Sequence, residues 1–144
     1  MAWKRSSKSA DWIGGHYVAV PHEMMDHYAF RSLSEAAIRV LLHSMRKAYG
    51  SDRYLKIFKF TYPEANKRLH ISDSTFRRAM RQLHKVGFID YYSPGGLRCE
   101  IDPNGRIEGK RKDPKGYQLS LRWKKYGTAS FEEKHEGYYT SIHG

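Results

Sequence analysis

Apolar and basic positions separate most cleanly in DSTFRRAMRQLHKV, residues 73–86. At 100° per residue, Phe76, Ala79, Met80 and Leu83 fall on one side of a helix. Ser74, Arg78, Arg81 and Lys85 fall on the opposite side, flanked by Arg77 and Gln82, and Gly87 ends the helix. The same period puts Ile38, Leu41, Leu42, Met45 and Tyr49 on one side of an earlier helix, with Arg39, His43, Arg46 and Lys47 on the other. That helix starts at a capping box of Ser32 with Glu35, or at a cap from Ser34, and stops at Gly50. Between the two lies a third helix, opened by TYPE. There Thr61 and Glu64 form a capping box, Pro63 sits in the first turn, and Ala65 and Leu69 face inward. His70, Ile71 and Ser72 then make a joint of about three residues, Ser72 capping the helix at 73–86.

Two-residue alternation marks the strands. KIFKF (56–60) reads as a short strand, FIDYY (88–92) as another, and LRCEI as a third after the turn SPGG. DPNG is a strong turn signal, and RIEGKRKDPKG a polar, basic excursion. In YQLSLRW (117–123), Tyr117, Leu119, Leu121 and Trp123 alternate with Gln118, Ser120 and Arg122, which predicts a strand antiparallel to FIDYY. Upstream, YVAVP (17–21) is a short extended segment and HEMMDHYAF a brief helix. The segment from Thr128 is net acidic and is expected to be loosely held, with Phe131, Tyr138 and Tyr139 available to dock. Helix, strand, helix, turn, helix, strand, long loop, strand is the order of a winged helix-turn-helix. The expected class is α+β: a three-helix core, a small antiparallel sheet and a β-hairpin wing enlarged by residues 93–116. A flexible basic arm (1–15) precedes the domain (16–127), and a C-terminal tail (128–144) follows it.

Charge adds a partner class to this fold. The 144 residues carry 26 Lys and Arg against 15 Asp and Glu, a net charge of +11, which favours acidic partners, nucleic acid before anionic membrane. Cys99 is the single cysteine and belongs to no Cys/His zinc spacing, which fits a reducing cytosol. No apolar run reaches the roughly 18 residues of a membrane span, and the basic start lacks the apolar centre of a signal peptide. The expected location is the bacterial cytosol or nucleoid, away from membranes.

A helix anchored by Phe76, Met80 and Leu83 would turn Arg78, Arg81 and Lys85 toward a DNA major groove, where Arg bonds guanine bidentately and Lys serves phosphate. Ser74 and Thr75 sit at the N-terminus, whose free N–H groups suit phosphate. The competing reading is an ordinary solvated basic face. The tight joint, the basic row and the hairpin after Gly87 together favour DNA. In the wing, Arg98, Arg106, Lys110, Arg111, Lys112 and Lys115 would lie along phosphates or probe a minor groove, or would simply be solvated. Lys4, Arg5 and Lys8 resemble a minor-groove arm. His22 and His27, five apart, do not fit the four-residue spacing of a metalloprotease helix. No phosphate-cradling glycine loop, activated nucleophile or carboxylate pair is evident, so neither an enzyme, a cofactor nor a metal is expected.

The chain resembles the winged-helix proteins of plasmids, phages and other mobile elements, including replication-initiator-type domains. The resemblance covers roughly residues 17–127 and rests on YVAVPHEMM, RSLSEAAIRVLL, TYPEANKRLHISDSTFRRAMRQLHKVGFI and YQLSLRWKKYG. It implies that the helix at 73–86 reads double-stranded DNA and that the hairpin contacts backbone, with Ser74, Thr75, Arg77, Arg78 and Arg81 inheriting the contact role. It further implies replication initiation or transcriptional control. A second copy of the chain, or a replication or transcription protein, is admitted as a further partner. The long loop 93–116 departs from the pattern. The alternative function is a protein-interaction module presenting Trp3, Trp12, Tyr91, Tyr92, Tyr138 and Tyr139.

Overall fold

The computed structural model describes residues 16–143, with the side chains of residues 97–100, 108, 110–112 and 143 outside that description. Two short helices, α1 (His22–Asp26) and α2 (Tyr28–Arg31), stand where one was expected. His27 separates them. Its Nδ1 accepts the Ala29 N–H, which leaves Nε2–H to donate to the Lys124 carbonyl, 3.1 Å away. With both ring nitrogens engaged, His27 caps α2 and ties it to the chain at Lys124.

Helix α3 (Glu35–Lys47) starts at Ser34, whose Oγ accepts the Ala37 N–H at 3.2 Å. Of the two expected caps, Ser34 is therefore the one used. Strand β1 (Phe58–Lys59) is shorter than the alternation of 56–60 suggested. Helix α4 (Tyr62–Leu69) begins after Thr61, but the expected capping box is not formed. Glu64 turns instead to Lys47 Nζ, 2.7 and 2.8 Å from its two oxygens, and to His43 Nε2 at 3.1 Å. A charge-assisted pair outcompetes the weaker bond to a neutral backbone N–H. Burial pushes the Glu64 carboxyl up, but Lys47 and His43 outweigh that and hold it below its ordinary range. His70 takes the left-handed conformation (φ 55°) that ends α4, and its N–H donates to Asn66 O at 3.0 Å.

Helix α5 (Asp73–Val86) has the bounds its sequence predicts. Ser72 Oγ accepts the Thr75 N–H at 3.3 Å. At the other end the N–H groups of Gly87 and Phe88 both reach the Leu83 carbonyl, at 3.2 and 2.9 Å, and Gly87 sits at φ 95°. Phe76, Ala79, Met80, Leu83 and Val86 are buried in one core with Val40, Leu41, Phe60 and Phe88, and the Phe76 ring lies 5.0 Å from that of Phe60.

Strands β2 (Ile89–Ser93) and β5 (Gly116–Leu119) pair antiparallel, and β1 adds to β5, giving the spatial order β1-β5-β2. Phe58, Tyr117 and Tyr91 line up across this sheet with ring centroids 5.8 Å apart at each step. Between β2 and β5 a second antiparallel pair, β3 (Gly96–Ile101) with β4 (Ile107–Asp113), forms a ribbon. Much of the polar excursion expected after DPNG is thus strand. The expected alternation of 117–123 breaks after Leu119. Ser120 is buried, Leu121 exposed, and Arg122–Lys125 form a 3-10 turn. Trp123 then stacks on Phe88, centroids 5.5 Å apart. The architecture is α+β, helices packed with a small three-stranded antiparallel sheet. Among the described residues no helix is long and apolar enough to cross a membrane.

Gly87 closes the turn between α5 and β2 against the returning chain. Trp123 N–H donates to Gly87 O at 3.1 Å and Ser120 N–H to Phe88 O at 2.8 Å. A Cβ at Gly87 would lie 2.6 Å from the Trp123 nitrogen and 2.8 Å from Arg122, both too close. Gly87→Ala is expected to destabilise the protein by about 2 kcal/mol, because positive φ and a backbone clash act together. Chemical denaturation checks this; a midpoint unchanged from the parent would show that the turn can yield.

The C-terminal segment is held, not loose. The Phe131 ring meets Tyr126 edge-on at 5.2 Å, Tyr139 stacks on Tyr91 at 5.9 Å, and a final short helix, α6 (Thr140–His143), packs on β2. Its anchor is Arg122. The guanidinium donates to Asp90 Oδ1 (2.8 Å), His84 O (2.9 Å) and Glu132 O (2.8 Å), and Lys134 Nζ reaches Asp90 Oδ2 at 3.3 Å.

Candidate nucleic-acid interface

Burying Phe76, Met80 and Leu83 leaves the opposite face of α5 in solvent. Ser74, Arg77, Arg78, Arg81 and Lys85 are all exposed there. Their surroundings divide them. Arg77 is 71% exposed but donates Nε to Asp73 Oδ1 at 3.0 Å, one turn back. Thr75 is half-buried, and its hydroxyl accepts from Ser72 Oγ at 2.9 Å, so it serves the helix cap. Ser74 Oγ lies 3.2 Å from Ser72 Oγ. Arg78, Arg81 and Lys85 make no hydrogen bond or ion pair among the described residues. At 1.5 Å per residue they span about 10 Å along the helix.

Gln82 flanks this row but is committed elsewhere. Its Nε2 donates to Ser32 O at 3.1 Å, and its Oε1 accepts from the Ser34 N–H and hydroxyl, each at 3.2 Å. It clamps α5 to the start of α3. That fixes the roll of α5, and so the direction of its arginines.

Two clefts border the exposed face. On the sheet side, Arg77, Arg81 and Lys115 meet Met80, Tyr91 and Glu136 around a cleft of about 420 Å³. On the tail side, Arg78, Arg81 and Lys85 face Glu133 and Glu136 across one of about 690 Å³. These tail carboxylates were not singled out from the sequence. Their only sequence signal is the acidic bias after Thr128, which does not show where the tail folds back.

The basic residues expected in a wing are spread along the β3–β4 ribbon and its root. Lys115 is exposed at the root, its Nζ 5.8 Å from the Tyr91 ring, and Arg106 is exposed at the tip. In register, Arg98 pairs with Arg111, Cys99 with Lys110 and Leu97 with Lys112; the side chains of these residues lie outside the described set. Lys4, Arg5, Lys8, Trp3 and Trp12 also fall outside the described residues. Of the aromatics considered as a protein-binding surface, Tyr91 is buried beneath Tyr139.

A second basic cluster escaped sequence reasoning. Arg46 of α3 and Lys67 and Arg68 of α4 are exposed around a cleft of about 490 Å³, whose one carboxylate, Glu64, is already held by Lys47. No group of three or more His, Cys, Asp or Glu side chains among the described residues is placed to hold a metal ion. Compared with known proteins, the chain matches no family model, no curated protein and no solved structure.

Proposed function

We propose that this chain is a winged-helix DNA-binding protein whose α5 reads double-stranded DNA from the major groove. Its role would be replication initiation or transcriptional control of a mobile element, the setting the sequence resemblance implies. The observation that carries the reading is the two-sidedness of α5. One side is packed into the core, while Arg78, Arg81 and Lys85 stand exposed with no ion-pair partner among the described residues. The spatial order β1-β5-β2 and the short joint at His70–Ser72 support it, because they are the sheet order and helix spacing of a winged helix. The ribbon β3–β4 then takes the place of the wing.

The residues divide the work by chemistry. Arg78 and Arg81 carry planar forks suited to the O6 and N7 of guanine. Lys85 and the first-turn N–H groups near Ser74 suit phosphate. Arg77, tied to Asp73, offsets a carboxylate that would otherwise repel the DNA backbone.

Selection from a random duplex library at low salt should return a motif. On that motif Arg78→Ala and Arg81→Ala are each expected to lose about 1–3 kcal/mol of affinity, and to lose far less on unrelated duplex. Engagement of about six phosphates gives a slope of log K against log salt near −5. Equal losses on all duplexes would reassign both arginines to phosphate. No shift with any duplex at low salt would overturn the reading.

A further inference from the structure

Resting on that DNA-binding reading, we infer that the tip of the β3–β4 ribbon is an apolar wedge that enters the flanking minor groove, opens a base step and bends the DNA. Ile101 and Ile107 pair directly across the ribbon at its outer end, next to the turn Asp102–Arg106. They are 63% and 62% exposed. A single exposed aliphatic side chain is ordinary. Two in register at the point of a ribbon, with Pro103 exposed beside them, form one continuous apolar edge.

The tip is built to hold that edge. Asp102 Oδ1 accepts the N–H groups of Asn104 (2.9 Å) and Arg106 (2.8 Å), and Asp102 N–H donates to Arg106 O at 2.8 Å. Gly105 supplies the positive φ (83°) that the turn needs. These bonds occupy Oδ1 of Asp102 and leave Arg106 exposed beside the isoleucines. An apolar edge with an adjacent cation has the chemistry of a minor-groove wedge, the aliphatic groups replacing a stacking contact and the cation meeting phosphate.

Reach decides the occupant. Lys115 at the ribbon root lines the same cleft as Arg77 and Arg81 of α5. From Gly96 to Ile101 the strand extends about 17–20 Å. Half a helical repeat of DNA is about 17 Å. With α5 in a major groove, a ribbon of that length reaches as far as the next minor groove.

The test is a bending assay on the full chain. A duplex carrying the selected motif is labelled at its ends for energy transfer and carries 2-aminopurine at successive steps in the flank. Binding by the parent protein is expected to bend the duplex by about 20–90° and to raise 2-aminopurine fluorescence at one flanking step. The variant Ile101→Ser with Ile107→Ser should keep the salt slope and the motif but lose both the bend and the fluorescence rise. Arg106→Ala should keep the bend and lower the salt slope by about one. A parent that binds without bending, or a serine variant that bends equally, overturns the wedge and leaves DNA binding standing. A serine variant that turns a dimeric parent monomeric, without altering the bend, reassigns the isoleucines to self-association and likewise overturns it. Absence of binding to any duplex removes both readings together.

Discussion

Asp90→Ala is expected to destabilise the protein by about 3 kcal/mol, more than a surface ion pair would explain. The carboxylate bridges two cations, Arg122 Nε at 2.8 Å and Lys134 Nζ at 3.3 Å. Exposed pairs are typically worth less than about 1 kcal/mol. These cations are different: the Arg122 side chain is 8% exposed and that of Lys134 13%. Removing the shared anion leaves two charges in a place that water barely reaches, and stranding a buried charge costs roughly 3–5 kcal/mol. The effect should therefore be grossly non-additive. Asp90→Ala combined with Arg122→Met should cost less than the sum of the two single variants, since the double variant strands one charge where Asp90→Ala strands two. Urea denaturation of the cycle decides the point; a double variant as unstable as the sum of its parts would refute the stranded-charge account. Arg122 also holds the carbonyls of His84 and Glu132, so Asp90→Ala should raise amide exchange in residues 128–143 before the core opens.

The same network shows why part of this molecule cannot be read from its sequence. The ends of α5 are written locally, as Ser72 before it and Gly87 after it, and its inner face is written in the spacing of Phe76, Ala79, Met80 and Leu83. Local chemistry acts before any tertiary contact, so these features are legible. Arg122 is not. By alternation it belongs with Gln118 and Ser120 on a polar face. The strand ends early because Ser120 Oγ accepts the Arg122 N–H at 3.1 Å and Gly87 O accepts from Trp123, which turns the chain inward toward Asp90. Those partners are about 30 residues away in the chain. Strand β4 was hidden for a related reason. IEGKRKD has no alternating apolar face, and its partner β3 supplies the ladder. The candidate interface divides in the same way. Outward cations follow from helical period, so Arg78, Arg81 and Lys85 could be named in advance. The use of Gln82 as a clamp, and the placing of Glu133 and Glu136 beside the same arginines, come from packing between distant segments.

Acid should unfold this protein earlier than its carboxylates alone would require, through His84. The side chain is buried on α5, its ring stacked on Tyr91 with centroids 4.0 Å apart, and Nε2 has no hydrogen-bond partner among the described residues. Burial, reinforced by the positive charge of Arg122 and only partly opposed by Asp90, pushes its pKa down from 6.5 to about 4. The folded protein therefore keeps His84 neutral in a range where the unfolded chain protonates it. Between pH 6.5 and 4 the unfolded state binds more protons, so stability falls as pH falls. The contribution is fully present above pH 6.5, is down by about 2 kcal/mol at pH 5, and amounts to about 3 kcal/mol once the pH is below 4. His84→Phe keeps a flat ring against Tyr91, removes a buried polar atom without a partner, and deletes the titration. At pH 7.5 the variant should match or exceed the parent in urea. At pH 5 it should be the more stable by roughly 2 kcal/mol. Parallel loss of stability in both proteins between pH 7.5 and 5 would place the acid sensitivity elsewhere. The change would also reach the proposed interface, because His84 lies between Arg81 and Lys85 in the chain and its carbonyl is held by Arg122. A charged imidazole beside Arg122 sets two cations against each other behind the exposed face of α5. The DNA affinity of the parent, and not of His84→Phe, should then fall in the same pH window in which stability is lost.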